Sequence, residues 1–307
     1  MVKNLWSKKP SAASIFEHQK SRRARATKRG AKRGSGLLSI CILRLNAGAG
    51  LKYHAVALCN VLFVDCHVHL VDSVDPGKLL NYAYSTETLL FSVGVDRRSS
   101  VSSLSMAREH GAIVRAFVGV HPSESGQERT IEWLEGAAAE ASGLGEIGLD
   151  PKYAAWEGAM ETQVALFEKQ LELAERLSLP VQVHSRGAER ECLDLLSTYR
   201  VERVLMHWFE SVDLAGEVAA RGYFISFGPA VLYSKRLASV AASFPRELVL
   251  TESDGPVSFG PLGGASGPST VPSVVFRLAA LSGEVFEEVR ERVLRNALSF
   301  LEEGRKG

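Results

Sequence analysis

From residue 61 onward, short apolar runs rich in β-branched residues alternate with longer amphipathic stretches, and this rhythm limits the folds open to the chain. Eight runs are typical of strands, and they read VLFVDC, TLLFSVGV, IVRAFVGV, GLGEIGLD, PVQVHS, ERVLMHW, GYFISFG and ELVLTESD. Helices are predicted at 128–141, 159–177, 188–199, 213–220 and 286–301. In the clearest of them apolar residues recur at steps of three and four, namely Val164, Phe167, Leu171 and Ala174. Eight strands alternating with helices over roughly 250 residues predict a (β/α)8 barrel, and a doubly wound open sheet is the alternative.

The first 60 residues differ in composition from this barrel-like region. Residues 1–36 are rich in Lys, Arg, Ser and Ala, and Glu17 is their only acid. A segment of this composition buries too little apolar surface to offset the entropy cost of ordering its backbone. Residues 1–60 are therefore predicted to be a disordered basic leader, or not to be translated. A transit peptide, a nucleic-acid-binding arm and a cryptic signal peptide are the functional alternatives. Residues 61–307 then form the folded domain.

The composition of the whole chain excludes several classes of protein. With 46% hydrophobic residues and a net charge of +1 it is typical of a globular protein, and the charge favours no particular partner. The four cysteines form no CxxC pair, so we expect neither a disulfide framework nor a thiolate zinc site, and we expect a cytoplasmic location. Arg44 and Asn60 interrupt the best apolar stretch before it reaches the ~18 residues of a membrane span, which predicts no membrane association.

Histidines and carboxylates occur at the C-terminal ends of the predicted strands. In chain order they are His67, His69, Glu146, His184, His207, Glu252 and Asp254. All C-terminal strand ends of a parallel barrel open at one mouth, so we expect these side chains to meet there. Residues i and i+2 of a strand point to the same side, so His67 and His69 should face inward together.

This set of side chains predicts a metal site rather than scattered structural groups. A single HxH is a weak signal, but four of the eight histidines lie at strand ends. Imidazole nitrogens and carboxylate oxygens suit Zn²⁺, Mn²⁺ or Mg²⁺. Even six of these ligands exceed the needs of one tetrahedral ion, and they fit two ions that share a carboxylate. A carboxylate must bridge, because a neutral imidazole has only one free lone pair.

The chain from about Leu62 to its end resembles the TatD family of metal-dependent deoxyribonucleases, which belongs to the amidohydrolase superfamily. Seven motifs carry the resemblance in the same order: FVDCHVHL, VGVHP, GEIGLD, PVQVHSR, MHWF, LTESDGP and NALSFL. The resemblance implies that one ion is held by His67, His69 and Asp254, and the other by His184 and His207. Glu146 would bridge the two ions. It also implies that His121 and Arg186 lie near the substrate, although His121 could equally cap the loop before Pro122.

The activity implied by the resemblance is hydrolysis of phosphodiester bonds at DNA ends, single-stranded or 3′. Two divalent ions (Mg²⁺, Mn²⁺ or Zn²⁺) would lower the pKa of a shared water and supply hydroxide, and Asp254 would accept its proton. Glu146 and Asp254 are thus the candidate catalytic residues. Trp208, Phe209 and Trp156 are candidates for stacking on a base, with packing under the loops as the alternative. The oligomeric state stays open.

Two other functions compete with the nuclease. The first is an ester or amide hydrolase of the same superfamily, such as a D-aminoacyl-tRNA deacylase, since metal-activated hydroxide also attacks carbon. The second is a non-catalytic nucleic-acid-binding protein that uses the basic leader. The chain departs from the family pattern at 208–211, where WFES replaces Cys-Phe-Ser-Gly, and at Pro151, where an aromatic residue is usual. These positions bear on the choice of substrate and not on the metal ligands.

Overall fold

The structure, a computed structural model, describes residues 61–126 and 131–302. The predicted leader, and every function considered for it, lies outside these residues. No helix within the described ranges is long and apolar enough to cross a membrane.

Eight parallel strands follow one another around the fold in chain order, and each predicted run overlaps one of them. They are β1 (Phe63–Val68), β2 (Thr88–Val93), β3 (Val114–Val118), β4 (Gly143–Gly148), β5 (Val181–His184), β6 (Val204–Met206), β7 (Phe224–Phe227) and β8 (Val249–Thr251). The first and last strands meet at the mouth, where the Asp254 N–H donates to the His67 carbonyl at 2.9 Å and the His69 N–H donates to the Gly255 carbonyl at 2.7 Å. The predicted (β/α)8 barrel is therefore confirmed, and the open sheet was the wrong alternative.

Nine α-helices are present in the described part of the chain. They are α1 (Pro76–Thr86), α2 (Arg97–Glu109), α3 (Glu132–Ala138), α4 (Ala159–Leu177), α5 (Glu189–Leu196), α6 (Val212–Ala220), α7 (Lys235–Ser243), α8 (Val271–Ser282) and α9 (Phe286–Glu302). All five predicted helices occur, α3 and α5 being shorter than expected. Four helices, α1, α2, α7 and α8, were not predicted.

Local sequence explains how the helix after β2 begins. The Asp96 carboxylate accepts a hydrogen bond from the Ser99 N–H at 2.7 Å, and the Ser99 hydroxyl oxygen accepts one from the Asp96 N–H at 3.1 Å. Two N–H groups at the helix start thereby gain partners. The turn between strand and helix is thus fixed close to the mouth of the barrel.

An aromatic cluster fills the end of the barrel opposite the mouth. Phe300 of α9 contacts Phe91 of β2, Phe117 of β3 and Phe224 of β7, with ring centroids 6.5, 6.0 and 5.5 Å away. Because Phe224 is the first residue of its strand and the Phe300 carbonyl accepts a hydrogen bond from Arg203, just before β6, Phe300 and its cluster lie at the N-terminal end of the barrel. Polar side chains are left to gather at the C-terminal end.

Candidate metal centre

The six side chains predicted as metal ligands lie together at the mouth, around the buried carboxylate of Glu146. Its Oε2 atom lies 3.6 Å from His67 Nε2 and 3.4 Å from His69 Nε2. Its Oε1 atom lies 2.6 Å from His184 Nδ1 and 2.8 Å from His207 Nε2. One carboxylate therefore presents a separate oxygen to each pair of histidines.

Asp254 completes one side of this arrangement. Its Oδ1 atom lies 3.3 Å from His69 Nε2 and 3.8 Å from His67 Nε2. The backbone of Asp254 has a φ of 52°, a left-handed conformation that Asp tolerates better than most residues. We call His67, His69, Asp254 and Oε2 of Glu146 the first half of the centre. The second half comprises His184, His207 and Oε1 of Glu146.

The spacing of the first half suits a shared cation better than hydrogen bonding. Its facing atoms are 3.3–3.8 Å apart, beyond the about 2.7–3.2 Å of an N–H···O bond. Two ligands bound at about 2.1 Å to a tetrahedral ion lie about 3.4 Å apart. Moreover, His67 Nε2 is buried and has no hydrogen-bond partner, which is costly unless an ion occupies the space. These residues therefore fit a divalent metal ion.

A hydrogen-bond acceptor lies behind each histidine of the first half. His67 Nδ1 is 2.7 Å from Gln182 Oε1, and His69 Nδ1 is 3.2 Å from the carbonyl oxygen of Val93. Both acceptors are neutral oxygens, so each Nδ1 carries the ring proton and donates it. The Nε2 lone pairs are thereby turned toward the centre.

Carboxylates lie behind the histidines of the second half. His184 Nε2 is 2.8 Å from Asp150 Oδ2, and His207 Nδ1 is 3.5 Å from Glu252 Oε2. Glu252 is itself held by the Trp208 N–H at 2.9 Å and by the Ser226 hydroxyl at 2.7 Å. Its carboxylate is therefore oriented before any ligand binds.

The proximity of these groups shifts their pKa values. Burial acts to raise the pKa of Glu146, but the surrounding imidazoles outweigh it and hold that pKa well below its usual range. Burial acts to lower the pKa of His69, but the Asp254 carboxylate 3.3 Å away and the charge of Glu146 raise it to about 9. The pKa values of His184 and His207 are also raised by Glu146 against the effect of burial, whereas burial lowers that of His67. The centre thus attracts positive charge.

The two residues predicted near the substrate lie beside the second half. His121 Nε2 is 3.6 Å from Glu146 Oε1, and His121 Nδ1 accepts a hydrogen bond from the Ser123 N–H at 3.1 Å. It therefore caps the loop and also faces the centre. Arg186 donates from Nε and Nη2 to Asp150 Oδ2, at 2.9 and 2.6 Å. Its guanidinium lies 5.6 Å from the centroid of the Tyr153 ring, and its side chain is 51% exposed.

The aromatic candidates for base stacking differ in exposure. Phe209 is only 1% exposed and packs in the hydrophobic core, so for this residue the packing alternative holds and stacking on a base does not. The Trp208 indole donates to Glu210 Oε1 at 3.1 Å and is partly buried. Trp156 and Tyr153 are 41% and 40% exposed, and both lie on the segment that follows β4. Tyr153 is the better placed of the two, because it contacts both His121 and Arg186.

Three buried polar residues of the centre were not predicted: Asp65, Asp150 and Gln182. The period of two residues in a strand could have indicated two of them, because Asp65 shares a strand face with His67, and Gln182 with His184. Asp65 Oδ1 accepts from the Ser253 N–H at 2.8 Å, and burial raises the pKa of Asp65 to about 7. Asp150 ends the GEIGLD motif just beyond its strand, where alternation no longer tells which way a side chain points.

A glycine allows β4 and β5 to approach closely at this site. Gly148 has a φ of 141°, and a Cβ atom there would lie 1.9 Å from the carbonyl oxygen of His184. Only glycine combines this conformation with such contact. The second glycine of GEIGLD thus lets His184 come within hydrogen-bond distance of Glu146.

The family model described as TatD related DNase matches residues 64–302. The chain belongs to the TatD family. It is 26% identical over 249 residues to an uncharacterized metal-dependent hydrolase of Methanocaldococcus jannaschii, covering 78% of this chain and 97% of that protein. It is 28% identical over 258 residues to the human deoxyribonuclease TATDN3, covering 78% of this chain and 94% of that protein.

Solved structures of TatD proteins share the same barrel. The TatD homologue YJJV of Escherichia coli superposes with a TM-score of 0.70 at 26% identity, over 78% of this chain and 97% of that one. A TatD family hydrolase of Entamoeba histolytica superposes with a TM-score of 0.68 at 16% identity, over 78% and 98%, and supports the fold alone. The protein is therefore a metal-dependent hydrolase of the TatD family.

Proposed function

We propose that this TatD hydrolase is a deoxyribonuclease that cleaves phosphodiester bonds at DNA ends, single-stranded or 3′, with two divalent ions. The observation that carries the proposal is the Glu146 carboxylate, which offers one oxygen to each pair of histidines. The human relative TATDN3 is named a deoxyribonuclease, which favours DNA over a carboxylic ester or amide as the substrate. Residues 61–307 would act as one catalytic domain.

Each half of the centre would hold one ion. His67, His69 and Asp254 would hold one ion, His184 and His207 the other, and Glu146 would bridge them. Mg²⁺, Mn²⁺ or Zn²⁺ suits this donor set. Bound there, the ions would activate a water and offset the negative charge that develops on the phosphoryl oxygens.

Asp254 is the proposed proton acceptor. Its Oδ1 atom faces His67 and His69, so its second oxygen is left to take the proton of the attacking water. Burial acts to raise the pKa of Asp254, but the adjacent imidazole of His69 and the other nearby histidines lower it. The carboxylate is therefore ionised at neutral pH, as a general base must be.

His121 and Arg186 are proposed to bind the phosphate. His121 Nδ1 accepts from a backbone N–H, so the ring proton is on Nε2 and points toward the centre. Burial lowers the pKa of His121 to about 3, so it acts as a neutral donor. Arg186 has N–H groups beyond the two that Asp150 engages, and these can grip phosphate oxygens. The exposed rings of Tyr153 and Trp156 would stack on a terminal base.

We also propose a cytoplasmic location. Cys66 and Cys192 are buried and form no disulfide. Burial is the main influence on the Cys192 thiol; it raises the pKa of that thiol and so keeps it protonated. Such thiols are usual in a reducing compartment.

The test is hydrolysis of end-labelled single-stranded DNA. Protein stripped of metal and reloaded with Mg²⁺, Mn²⁺ or Zn²⁺ should release nucleotides, and Asp254→Asn should abolish the release. Asp194→Asn, a change at a 64% exposed carboxylate on α5, is the matched control and should keep full activity. If the protein binds two ions yet leaves DNA intact, the nuclease proposal fails, and aminoacyl esters are the next substrates to try.

A further inference from the structure

The groups behind the four imidazoles differ in charge between the halves. In the first half the acceptors are the Gln182 amide and the Val93 carbonyl, which are neutral. In the second half the groups are carboxylates: Asp150 accepts from His184, and Glu252 Oε2 lies 3.5 Å from His207 Nδ1 without a hydrogen bond. All four groups belong to the barrel strands or lie within two residues after them.

Among the groups that face the centre, the first half has more negative charge than the second. The first half presents two carboxylate oxygens, Asp254 Oδ1 and Glu146 Oε2. The second half presents only Glu146 Oε1. A divalent ion in the second half would thus be bound by two neutral imidazoles and one shared carboxylate. A carboxylate behind an imidazole makes the ring a stronger ligand and fixes its tautomer.

We propose that Asp150 and Glu252 are positioning residues that supply the second half with the negative charge it lacks, so that the affinity of its ion depends on them while that of the first half does not. This inference rests on the proposed two-ion centre. Neither residue would touch the ions or the substrate; each would act through the histidine in front of it.

Both carboxylates are held firmly enough for this role. Asp150 is fully buried, its Oδ1 accepts from the Lys152 N–H at 2.9 Å, and its backbone exchanges two hydrogen bonds with Gln163, at 2.8 and 3.0 Å. Glu252 is also fully buried, with one oxygen on the Trp208 N–H and the other on Ser226. His207 Nδ1, which faces Glu252 Oε2 at 3.5 Å, is buried and has no hydrogen-bond partner.

Asp150 has a second contact that connects the ion to the mouth. The oxygen that accepts from His184 also accepts from Arg186, the proposed phosphate-binding residue. A phosphate that draws Arg186 away would leave more of the Asp150 charge to His184. Binding of the substrate and of the second-half ion should therefore strengthen each other.

The experiment is calorimetric titration of the metal-free full-length protein with Zn²⁺, in two backgrounds that isolate the halves. His69→Ala leaves the second half intact, and His184→Ala leaves the first half intact. In the His69→Ala background, where only the second half binds, Asp150→Asn and Glu252→Gln should each weaken Zn²⁺ binding by about 10- to 100-fold. In the His184→Ala background, where only the first half binds, the same changes should alter Zn²⁺ binding by less than about twofold.

A second readout separates positioning from general damage. Nitrogen NMR of the Zn²⁺-loaded protein should show His184 protonated at Nε2, and this signal should be lost or shifted in Asp150→Asn while that of His69 stays. Thermal melting of each metal-free variant shows that it is folded. Equal weakening in both backgrounds, or no weakening in either, would overturn the inference.

The outcome is also distinct from that of the nuclease test. Selective weakening without any DNA hydrolysis would leave the inference standing and remove the proposed substrate. Binding of a single ion by the unmodified protein would overturn both the two-ion centre and the inference.

Discussion

The two halves of the metal centre hold their histidines by different means. In the first half, His67 and His69 come from one strand end, and backbone hydrogen bonds from Asp254 and to Gly255 fix that end against the segment after β8. In the second half, His184 and His207 come from different strands and lie only 2.6 and 2.8 Å from the same Glu146 oxygen. The first half is thus organised by the backbone, and the second by contacts between side chains.

The two halves are nevertheless in direct contact. The rings of His67 and His207 stack with their centroids 3.9 Å apart and an interplanar angle of 9°. Glu146 joins the halves a second time. A change in one half therefore reaches the other through two contacts, and the sharpest tests are those that remove either the shared group or a group unique to one half.

The largest effect is expected at the shared carboxylate. Glu146→Gln should lower DNA hydrolysis by at least about 10³-fold and abolish binding of the second ion, because an amide has only one oxygen to offer. Metal content and hydrolysis rate check this together. Glu161→Gln, at an exposed position on α4, is the control. Two bound ions in Glu146→Gln would show that the halves do not share their ligand.

The pH dependence of metal uptake should come next in size. The pKa of His69 is raised to about 9, so the metal-free protein holds a proton there at pH 7 that the metal must displace. Because the folded pKa lies above the unfolded 6.5, this proton stabilises the metal-free fold fully below pH 6.5, and the contribution is lost as the pH rises to about 9.

Zn²⁺ affinity in the His184→Ala background should accordingly rise by roughly 10²-fold between pH 6.5 and 9, about tenfold per pH unit. Titration in two buffers with different ionisation enthalpies counts the protons released. An affinity that stays constant over this range would mean that Asp254 and His69 do not form the ion pair that the structure shows.

A smaller effect on metal binding is expected when Gln182, the hydrogen-bond acceptor of His67, is changed. Gln182→Met removes the acceptor of the His67 Nδ1 proton, so either imidazole tautomer becomes accessible. Zn²⁺ binding should weaken by about tenfold in the His184→Ala background and stay unchanged in the His69→Ala background. If instead the second half weakened, the stacked rings of His67 and His207 would carry the coupling.

The smallest effect is expected at the mouth. Arg186→Lys loses the planar fork that can grip two phosphate oxygens, so KM for DNA should rise about 5- to 10-fold with kcat little changed. Arg190→Lys, at a neighbouring exposed arginine on α5, is the matched control. A fall in kcat at constant KM would place Arg186 in the chemical step rather than in binding.

Patterns in the sequence were sufficient for the strands and for the gathering of the six candidate ligands at one mouth. The eight apolar runs and the residues at their ends required only the period of two and the parallel topology of a barrel. The helix α2 was not predicted because serines take the place of apolar residues on its buried face, as in the contact of Ser103 with Ser92 at 2.9 Å. Hydrophobic periodicity does not register such a face.

The sequence by itself determined that the six candidate ligands meet at the mouth, since strand order and side-chain alternation are local properties that repeat around the barrel. Only the tertiary structure decided what stands behind each histidine. Asp150 reaches His184 across 34 residues, and Glu252 faces His207 across 45. The positions of these two carboxylates in space depend on how adjacent strands twist, how close Gly148 lets β4 and β5 come, and where the loop after each strand turns. No period in the sequence encodes these, because they arise from packing between elements that are far apart along the chain.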